Sequence, residues 1–201
     1  MARTYDMRKR DQAAAGTKTA IIEAAHRLLN EVDGTSLTLL EVADAAGVTR
    51  ATVYNSIGSR RDLLAAVFED QGRLIGYERV LEAMRLDDAA EAIVETVRAS
   101  CRAWAVMPEA IRKTLALASI DAESRELVLQ YERYRRGEIA ALAKRAVECR
   151  VVDPALKMDE VASTLSLLTG FQAFDQLRLD HSVRVTTERL VRMATSSLGM
   201  Q

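Results

Sequence analysis

Residues 38–57 read T-L-L-E-V-A-D-A-A-G-V-T-R-A-T-V-Y-N-S-I, and this stretch decides the fold of the N-terminal part of the chain. Thr38, followed three residues later by Glu41, has the pattern of a capping box and predicts the start of a helix. Gly47 is expected to end that helix, because glycine adopts the left-handed conformation of a helix C-terminus at little cost. Thr49 then caps a second short helix. Two short helices joined by a glycine-containing turn are the layout of a helix-turn-helix.

The second of these helices is predicted to present a surface to DNA. Val42, Val48 and Val53 are expected to fill the small core between the two helices. The side chains left outside can donate hydrogen bonds to base edges, touch a thymine methyl group and bind phosphates. They are Arg50, Ala51, Thr52, Tyr54 and Asn55. A helix that faced only solvent would have no use for an exposed tyrosine.

Helical patterns continue on both sides of this stretch. Upstream, Thr17–Glu31 has apolar residues at three- and four-residue spacing and predicts a helix that Gly34 ends. Downstream, a longer helix is expected from Arg60 towards Leu81. Strand patterns are absent, so we predict an all-α fold of about nine helices. The further helices are expected over 87–106, 108–118, 121–149, 159–179 and 185–198.

The division of the chain follows from this layout. A helix-turn-helix domain with a basic arm is predicted over residues 1–62, and a helical effector-binding and dimerisation domain over 63–201. The boundary lies within the helix that starts at Arg60, so the two domains should be mechanically coupled. Gly72 is a weak point in that helix.

The charge of the chain is unevenly distributed. The 201 residues carry a net charge of −1, and 28% of them are charged. Four basic residues stand against Asp6 within residues 1–10, which makes this arm +3 and leaves −4 for the remainder. A basic arm ahead of a mildly acidic body suits an end that touches phosphate, although a solvated tail has the same composition.

An enzymatic function is the main alternative to DNA binding, and the sequence motifs give it little support. The sequence has no P-loop, no GxGxxG and no nucleophile elbow. Glu23 and His26 form a Glu-x-x-His pair, but a di-iron bundle needs a second such pair. Arg178 stands three residues before His181, the only other histidine, so that pair is missing. We therefore expect no catalytic site, no metal and no cofactor.

The two cysteines and the apolar stretches of the sequence indicate whether the protein could sense redox conditions and where in the cell it is expected. Cys101 and Cys149 are far apart and form no CxxC motif, so buried structural cysteines are expected, and redox sensing is the alternative. The charge-free stretch Val161–Phe174 is too short to cross a bilayer. The charged N-terminus lacks the apolar segment of a signal peptide. We expect a soluble, cytoplasmic protein without a membrane partner.

The ordered set of residues over about 17–67 resembles the tetracycline-repressor-like (TetR) family of transcriptional regulators. The matching residues are Ile22, Ala24, Ala25, Leu29, Gly34, Thr38, Leu39, Val42, Ala43, Ala46, Gly47, Val48, Thr49, Thr52, Val53, Tyr54, Leu63 and Leu64. The resemblance implies a repressor that binds a palindromic operator in double-stranded DNA as a homodimer and is released by a small-molecule ligand. A helical regulator that responds to redox or to a protein partner is the alternative.

The resemblance also implies which side chains meet DNA. Arg50 is the candidate for base reading, with Ala51 and Thr52 beside it. Contacts to phosphate or to a base edge are implied for Thr17, Lys18, Thr38, Thr49, Tyr54, Asn55 and Arg60. The family often has lysine at the position of Arg60, and either residue keeps a cation there for phosphate.

Large side chains in the C-terminal two thirds are candidates for a ligand pocket. They are Trp104, Met107, Tyr131, Tyr134, Phe171 and Phe174. The same spacing also fits a plain helical core. No cluster of charges converges with them, so the expected ligand is a mainly apolar small molecule of unidentified structure.

A dimer interface is predicted in the last two helices, Asp159–Leu179 and Val185–Leu198. A surface helix keeps charges on one face, whereas Val161–Phe174 has none, so both of its faces should be covered. Two helices from each subunit would form a four-helix bundle about a two-fold axis. The expected interface residues are Leu165, Leu168, Gln172, Leu190, Met193 and Ala194. A helix buried wholly inside a monomer is the alternative.

Overall fold

The computed structural model describes residues 2–31 and 37–200, with side chains over 12–30 and 37–200. Within these ranges the chain is all-helical, as predicted. The helices are α1 (Ala2–Glu31), α2 (Leu39–Ala46), α3 (Arg50–Ile57), α4 (Arg60–Leu74), α5 (Tyr77–Met84), α6 (Ala89–Val106), α7 (Pro108–Ile120), α8 (Ala122–Glu148), α9 (Met158–Leu168), α10 (Phe171–Arg178) and α11 (Val183–Ser197). Gly34 and the side chains of the basic arm lie outside the described residues.

The described part has eleven helices instead of about nine because two predicted helices are each broken. The helix predicted from Arg60 towards Leu81 ends at Leu74, and α5 begins at Tyr77. Gly76 between them has φ 70° and ψ 40°, the left-handed conformation that glycine adopts without a steric penalty. An isolated glycine in a helical pattern does not by itself show whether the helix continues.

The second break divides the helix predicted over 159–179. Gly170 is extended, with φ −74° and ψ 153°, so α9 stops at Leu168 and α10 starts at Phe171. The Thr169 hydroxyl donates to the Leu165 carbonyl at 2.7 Å, which satisfies a carbonyl near the helix end. The charge-free stretch Val161–Phe174 is therefore divided between two short helices, α9 and α10. The break at Gly170 allows these two helices to run in different directions.

The described helices form two compact units. Unit 1 comprises Met1–Gln71 and Glu109–Val128. Its core joins α1, α2, α3 and α4 to α7 and the start of α8. The fully or almost fully buried residues include Ile21, Ala24, Ala25, Val42, Ala43, Val53, Leu63, Leu64, Val67 and Leu117. The N-terminal domain predicted over residues 1–62 does not include the segment Glu109–Val128. This segment joins the core of unit 1 through contacts with residues that are distant in sequence.

Unit 2 comprises Gly72–Pro108 and Leu129–Gln201. Helix α6 is its central element and packs against α5, α9, α10 and α11. Apolar side chains from α5, α6, α8 and α9, together with Leu198 after α11, make one core. It includes Val80, Leu81, Met84, Ile93, Ile139, Leu142, Val161, Leu165 and Leu198. Each unit thus has an apolar core of its own, and the two cores share no residue.

Candidate nucleic-acid interface and effector region

The turn between α2 and α3 is built as the sequence predicts. The Thr38 hydroxyl accepts from the Glu41 amide at 3.2 Å, and the Glu41 carboxylate accepts from the Thr38 amide at 2.9 Å, which completes the capping box. Gly47 has φ 67°, and the Val48 amide donates to the Ala43 carbonyl at 3.0 Å across it. This closes α2 and sets the direction in which α3 starts.

Helix α3 is capped in the same local way. The Thr49 hydroxyl accepts from the Thr52 amide at 3.1 Å and lies 2.9 Å from the Thr52 hydroxyl. Val53 is completely buried and holds the helix against α1 and α2. The outer face of α3 is therefore determined by packing as well as by its cap.

That outer face carries most of the predicted reading residues. Arg50, Ala51, Tyr54 and Asn55 are all exposed, and Tyr54 is 61% accessible. Positions separated by three or four residues lie on one side of a helix, so this set faces away from Val53. A helix of eight residues is about 12 Å long, comparable with the width of the major groove. The face can enter that groove with a cation, a methyl group, a phenol and an amide.

Thr17 and Lys18 occupy a different setting from the one expected. They were predicted to start the first helix, but α1 begins at Ala2, because residues 8–15 are mainly good helix formers. The Thr17 hydroxyl donates to the Ala13 carbonyl at 2.9 Å, so it is satisfied within the helix. Lys18 is exposed and remains available for phosphate.

The structure corrects the role expected for Arg60. Its Nε donates to the Leu37 carbonyl at 2.8 Å, one Nη to Asp121 at 3.0 Å and the other to Glu123 at 2.6 Å. The guanidinium is thus engaged inside unit 1 and is not presented to phosphate. Asp121 and Glu123 lie more than sixty residues away along the chain, and no local pattern pairs them with Arg60.

Four of the six predicted pocket residues lie in the interior of unit 2. Phe171 and Phe174 are buried, and Trp104 and Met107 pack partly buried against the core. The Trp104 ring meets the Phe171 ring edge-on, with centroids 5.7 Å apart, and its Nε1 donates to the Thr169 carbonyl at 3.0 Å. These contacts bring α6 to the break between α9 and α10.

The other two predicted pocket residues do not join them. Tyr131 and Tyr134 are 45% and 50% accessible on α8. The interior face of α8 is instead carried by Arg135, Ile139 and Leu142, which are three and four residues apart. Sequence spacing alone did not show which side of this helix is covered.

Arg135 and Tyr77 are polar residues of this region that the sequence reasoning missed. Arg135 is only 7% accessible and bonds to Thr169 Oγ1 at 3.1 Å and to the Ser166 carbonyl at 3.2 Å. The Tyr77 hydroxyl is buried and has no hydrogen-bond partner among the described residues, and burial raises the pKa of Tyr77 to about 12. Arg135 stands in a run of similar arginines, so no sequence signal distinguishes it.

An open cleft of about 570 Å³ lies elsewhere in unit 2. It is lined by Ala90, by residues 150–154, and by Gly199 and Met200. Arg150 in this lining has φ 56°, unusual for a residue with a side chain. None of the predicted pocket residues lines this cleft.

The residues predicted for the dimer interface divide into two groups. Leu165, Leu168, Leu190 and Ala194 are at most 6% accessible and belong to the core of their own unit. This is a correction: the apolar stripes of α9 and α11 are covered by α6 and by one another. Gln172 and Met193 are exposed. Leu167 and Leu179, which sequence reasoning did not select, are 67% and 69% accessible.

His26, the cysteines and any cluster of metal ligands are the groups on which an enzyme or a redox sensor would depend. His26 contacts Asp70 at 3.1 Å, and Cys101 is buried whereas Cys149 is exposed. Burial raises the pKa of the Cys101 thiol. Over residues 2–31 and 37–200, no group of three or more metal-ligating side chains occurs. None of the helices in those ranges has the length and apolar character needed to cross a membrane.

The chain is similar in sequence to proteins described as HTH-type transcriptional regulators. The HTH-type transcriptional regulator Rv1255c of Mycobacterium tuberculosis is 32% identical over 82 residues, which are 41% of either chain. The match therefore spans about two fifths of that relative's length. The HTH-type transcriptional regulator BetI of Agrobacterium fabrum is 25% identical over 170 residues, 83% of this chain and 77% of that protein.

Solved structures show the same fold. That of NalD, the secondary repressor of the MexAB-OprM multidrug efflux pump in Pseudomonas aeruginosa, superimposes with a TM-score of 0.67 at 22% identity, covering 92% of this chain and 97% of NalD. The family model described as "Bacterial regulatory proteins, tetR family" matches residues 21–67, which carry the capped turn and the exposed face of α3. On these findings residues 21–67 are similar to the tetR family of bacterial regulatory proteins, and the chain shares its fold with NalD.

Proposed function

We propose that this protein is a DNA-binding transcription regulator, a repressor that binds a palindromic operator as a homodimer and is released by a small-molecule ligand. The observation that carries the proposal is the outer face of α3, where Arg50, Ala51, Tyr54 and Asn55 are exposed together on a capped helix. Residues 1–62 would hold the DNA-reading function, and residues 63–201 effector binding and dimerisation.

The chemistry of that face suits base reading. The Arg50 guanidinium can form two hydrogen bonds to a guanine, and the Ala51 methyl can contact a thymine methyl group. Tyr54, Asn55 and Lys18 would bind the flanking backbone. The N-termini of α2 and α3 offer backbone amides to phosphate beside Thr38 and Thr49. Arg60 is left out of this set because its donors are engaged elsewhere.

Selection of bound DNA from a random library tests the proposal. We expect an inverted repeat whose half-sites are spaced by about one helical turn or a multiple. Arg50→Ala should relax one position of each half-site and weaken operator binding by about 1–3 kcal/mol. Arg133→Ala, an exposed arginine of α8, serves as the control and should leave the motif unchanged. A selected site without dyad symmetry would contradict the dimeric reading of DNA.

The homodimer is proposed to form on the exposed apolar side chains of the last helices. Leu167, Leu179 and Met193 are accessible by 67%, 69% and 47%, and Gln172 is exposed near them in sequence. Exposed apolar side chains mark a protein interface where they form one contiguous patch. Leu167→Glu with Met193→Glu should convert a dimer into a folded monomer in sedimentation experiments. Leu129→Glu, also at an exposed leucine, is the matched control, and equal dimerisation of both variants would refute this surface.

The effector region is proposed in unit 2 around Trp104, Met107, Phe171 and Phe174. Its support is the aromatic contact between Trp104 and Phe171 beside the buried Arg135. Trp104 is the only tryptophan of the chain, so its fluorescence reports on ligand binding without a label. Ligands that release DNA should change this emission. Release of DNA by oxidants, with Cys149 as the exposed thiol, would favour the redox alternative instead.

A further inference from the structure

Five charged side chains meet where α4 and α8 begin. Arg60 and Arg61 are the first two residues of α4, and Asp121, Glu123 and Glu126 stand at the start of α8. Arg60 bonds to Asp121 and Glu123 as described above, and Arg61 bonds to Glu126 at 2.9 Å. All five belong to unit 1.

The Arg60 guanidinium connects three points of this unit. It donates to the Leu37 carbonyl just before the cap of α2, it belongs to the first turn of α4, and it holds the first turn of α8. Asp121 has a second task, because its carboxylate also accepts from the Ser124 amide at 2.8 Å and so caps α8. The Arg60 and Asp121 side chains are 26% and 24% accessible, so water screens this pair less than a fully exposed one.

The position of Arg60 relative to α3 gives these bonds a consequence for DNA. Only Gly58 and Ser59 separate Arg60 from Ile57, the last residue of α3. The Gly58 amide closes α3 by donating to the Tyr54 carbonyl at 2.8 Å, and Ser59 caps the next helix through Asp62. Because this connection is short and hydrogen-bonded, a displacement of Arg60 should also displace α3.

We propose that Arg60 is a positioning residue for DNA reading: it orients α2 and α3 through its bonds to Leu37, Asp121 and Glu123, and it makes their orientation depend on α8. This inference rests on the proposed function. It replaces a phosphate contact by an internal one. Helix α8 is uninterrupted from Ala122 to Glu148, and it also carries the buried Arg135 of the effector region.

The experiment measures the affinity of full-length variants for the selected operator and for a random duplex, over a range of salt. Arg60→Met should weaken operator binding about tenfold, the value of one charge-assisted hydrogen bond, with an unchanged salt slope. Glu123→Gln should weaken it in the same direction, although it removes a negative charge. The double variant should be no weaker than Arg60→Met alone, because both changes break one interaction.

Arg60→Lys separates positioning from charge. A lysine keeps the cation for a phosphate but cannot bridge one carbonyl and two carboxylates as the guanidinium fork does. We expect Arg60→Lys to bind the operator almost as weakly as Arg60→Met. Full affinity of the lysine variant, a salt slope smaller by about 0.9 in Arg60→Met, or tighter binding by Glu123→Gln would each overturn the proposal and indicate a phosphate contact.

A purely structural role is distinguished by titrating the active fraction. If the folded fraction of Arg60→Met binds the operator like the parent protein, Arg60 contributes only to folding and the proposal fails. Should Arg60→Met not fold, Glu123→Gln still tests the inference, since its side chain is 46% accessible and milder to replace. Lys18→Met is the control for a true backbone contact. A selected operator with an intact Arg50 effect but a failed Arg60 test would refute this inference and leave the proposed function standing.

Discussion

The buried guanidinium of Arg135 offers a direct test of what holds unit 2 together, and we expect Arg135→Met to destabilise it by about 3 kcal/mol. Methionine fills similar space but cannot donate. The change removes bonds to the Ser166 carbonyl at 3.2 Å, to Thr169 Oγ1 at 3.1 Å and to Ser166 Oγ at 3.2 Å.

The magnitude follows from the burial of each partner. Thr169 is 2% accessible, so its oxygen loses a partner that water does not replace. Glu132 shares the same guanidinium, but its side chain is 42% accessible and can be hydrated again, so its ion pair adds little. Two to three charge-assisted bonds then give about 3 kcal/mol, or about 6–12 °C in Tm for a chain of this size.

Urea unfolding followed by Trp104 fluorescence measures this loss where it occurs, because Trp104 bonds to the same Thr169 through its carbonyl. Far-UV circular dichroism recorded in parallel shows whether the two units unfold together. Arg136→Met is the matched control, since Arg136 follows directly on α8 and its side chain is 72% accessible. A loss below about 1 kcal/mol for Arg135→Met, or a loss equal to that of the control, would refute the reasoning.

Three further outcomes are expected. Gly47→Ala should destabilise unit 1 by about 1 kcal/mol in urea titrations and weaken operator binding, because Gly47 has φ 67° at the turn before α3. Arg150→Gly should raise the free energy of unfolding by about 0.5–1 kcal/mol, because Arg150 has φ 56° at the end of α8; an unchanged value would show no strain there. Burial raises the pKa of Asp121, but the hydrogen bonds from Ser124 and Arg60 outweigh it and the pKa is lowered below 3.8. Its contribution to stability is thus present above the unfolded pKa of about 4 and is lost as pH falls through the lower folded value. Acid titrations of Asp121→Asn should accordingly show a shallower loss of stability than the parent protein below about pH 4.

The parts that the sequence by itself determined depend on contacts within a few residues. The capping box of Thr38 and Glu41, the left-handed Gly47 and the Thr49 cap are all local, so they could be predicted from residue type and spacing. Burial of Val53 then leaves Arg50, Tyr54 and Asn55 outside, because a helix has a regular period. The all-helical fold and the candidate reading face followed from these short-range rules.

Only the tertiary structure decided the features that depend on distant partners. Whether Arg60 meets phosphate or a carboxylate depends on Asp121 and Glu123, which packing brings from a segment more than sixty residues away. Sequence shows that a helix has an apolar stripe, but not which neighbour covers it. Leu165 is therefore core and not interface, and Tyr134 is outside and not in a pocket. The physical reason is that periodicity defines the faces of a helix, whereas burial is a property of all the helices around it.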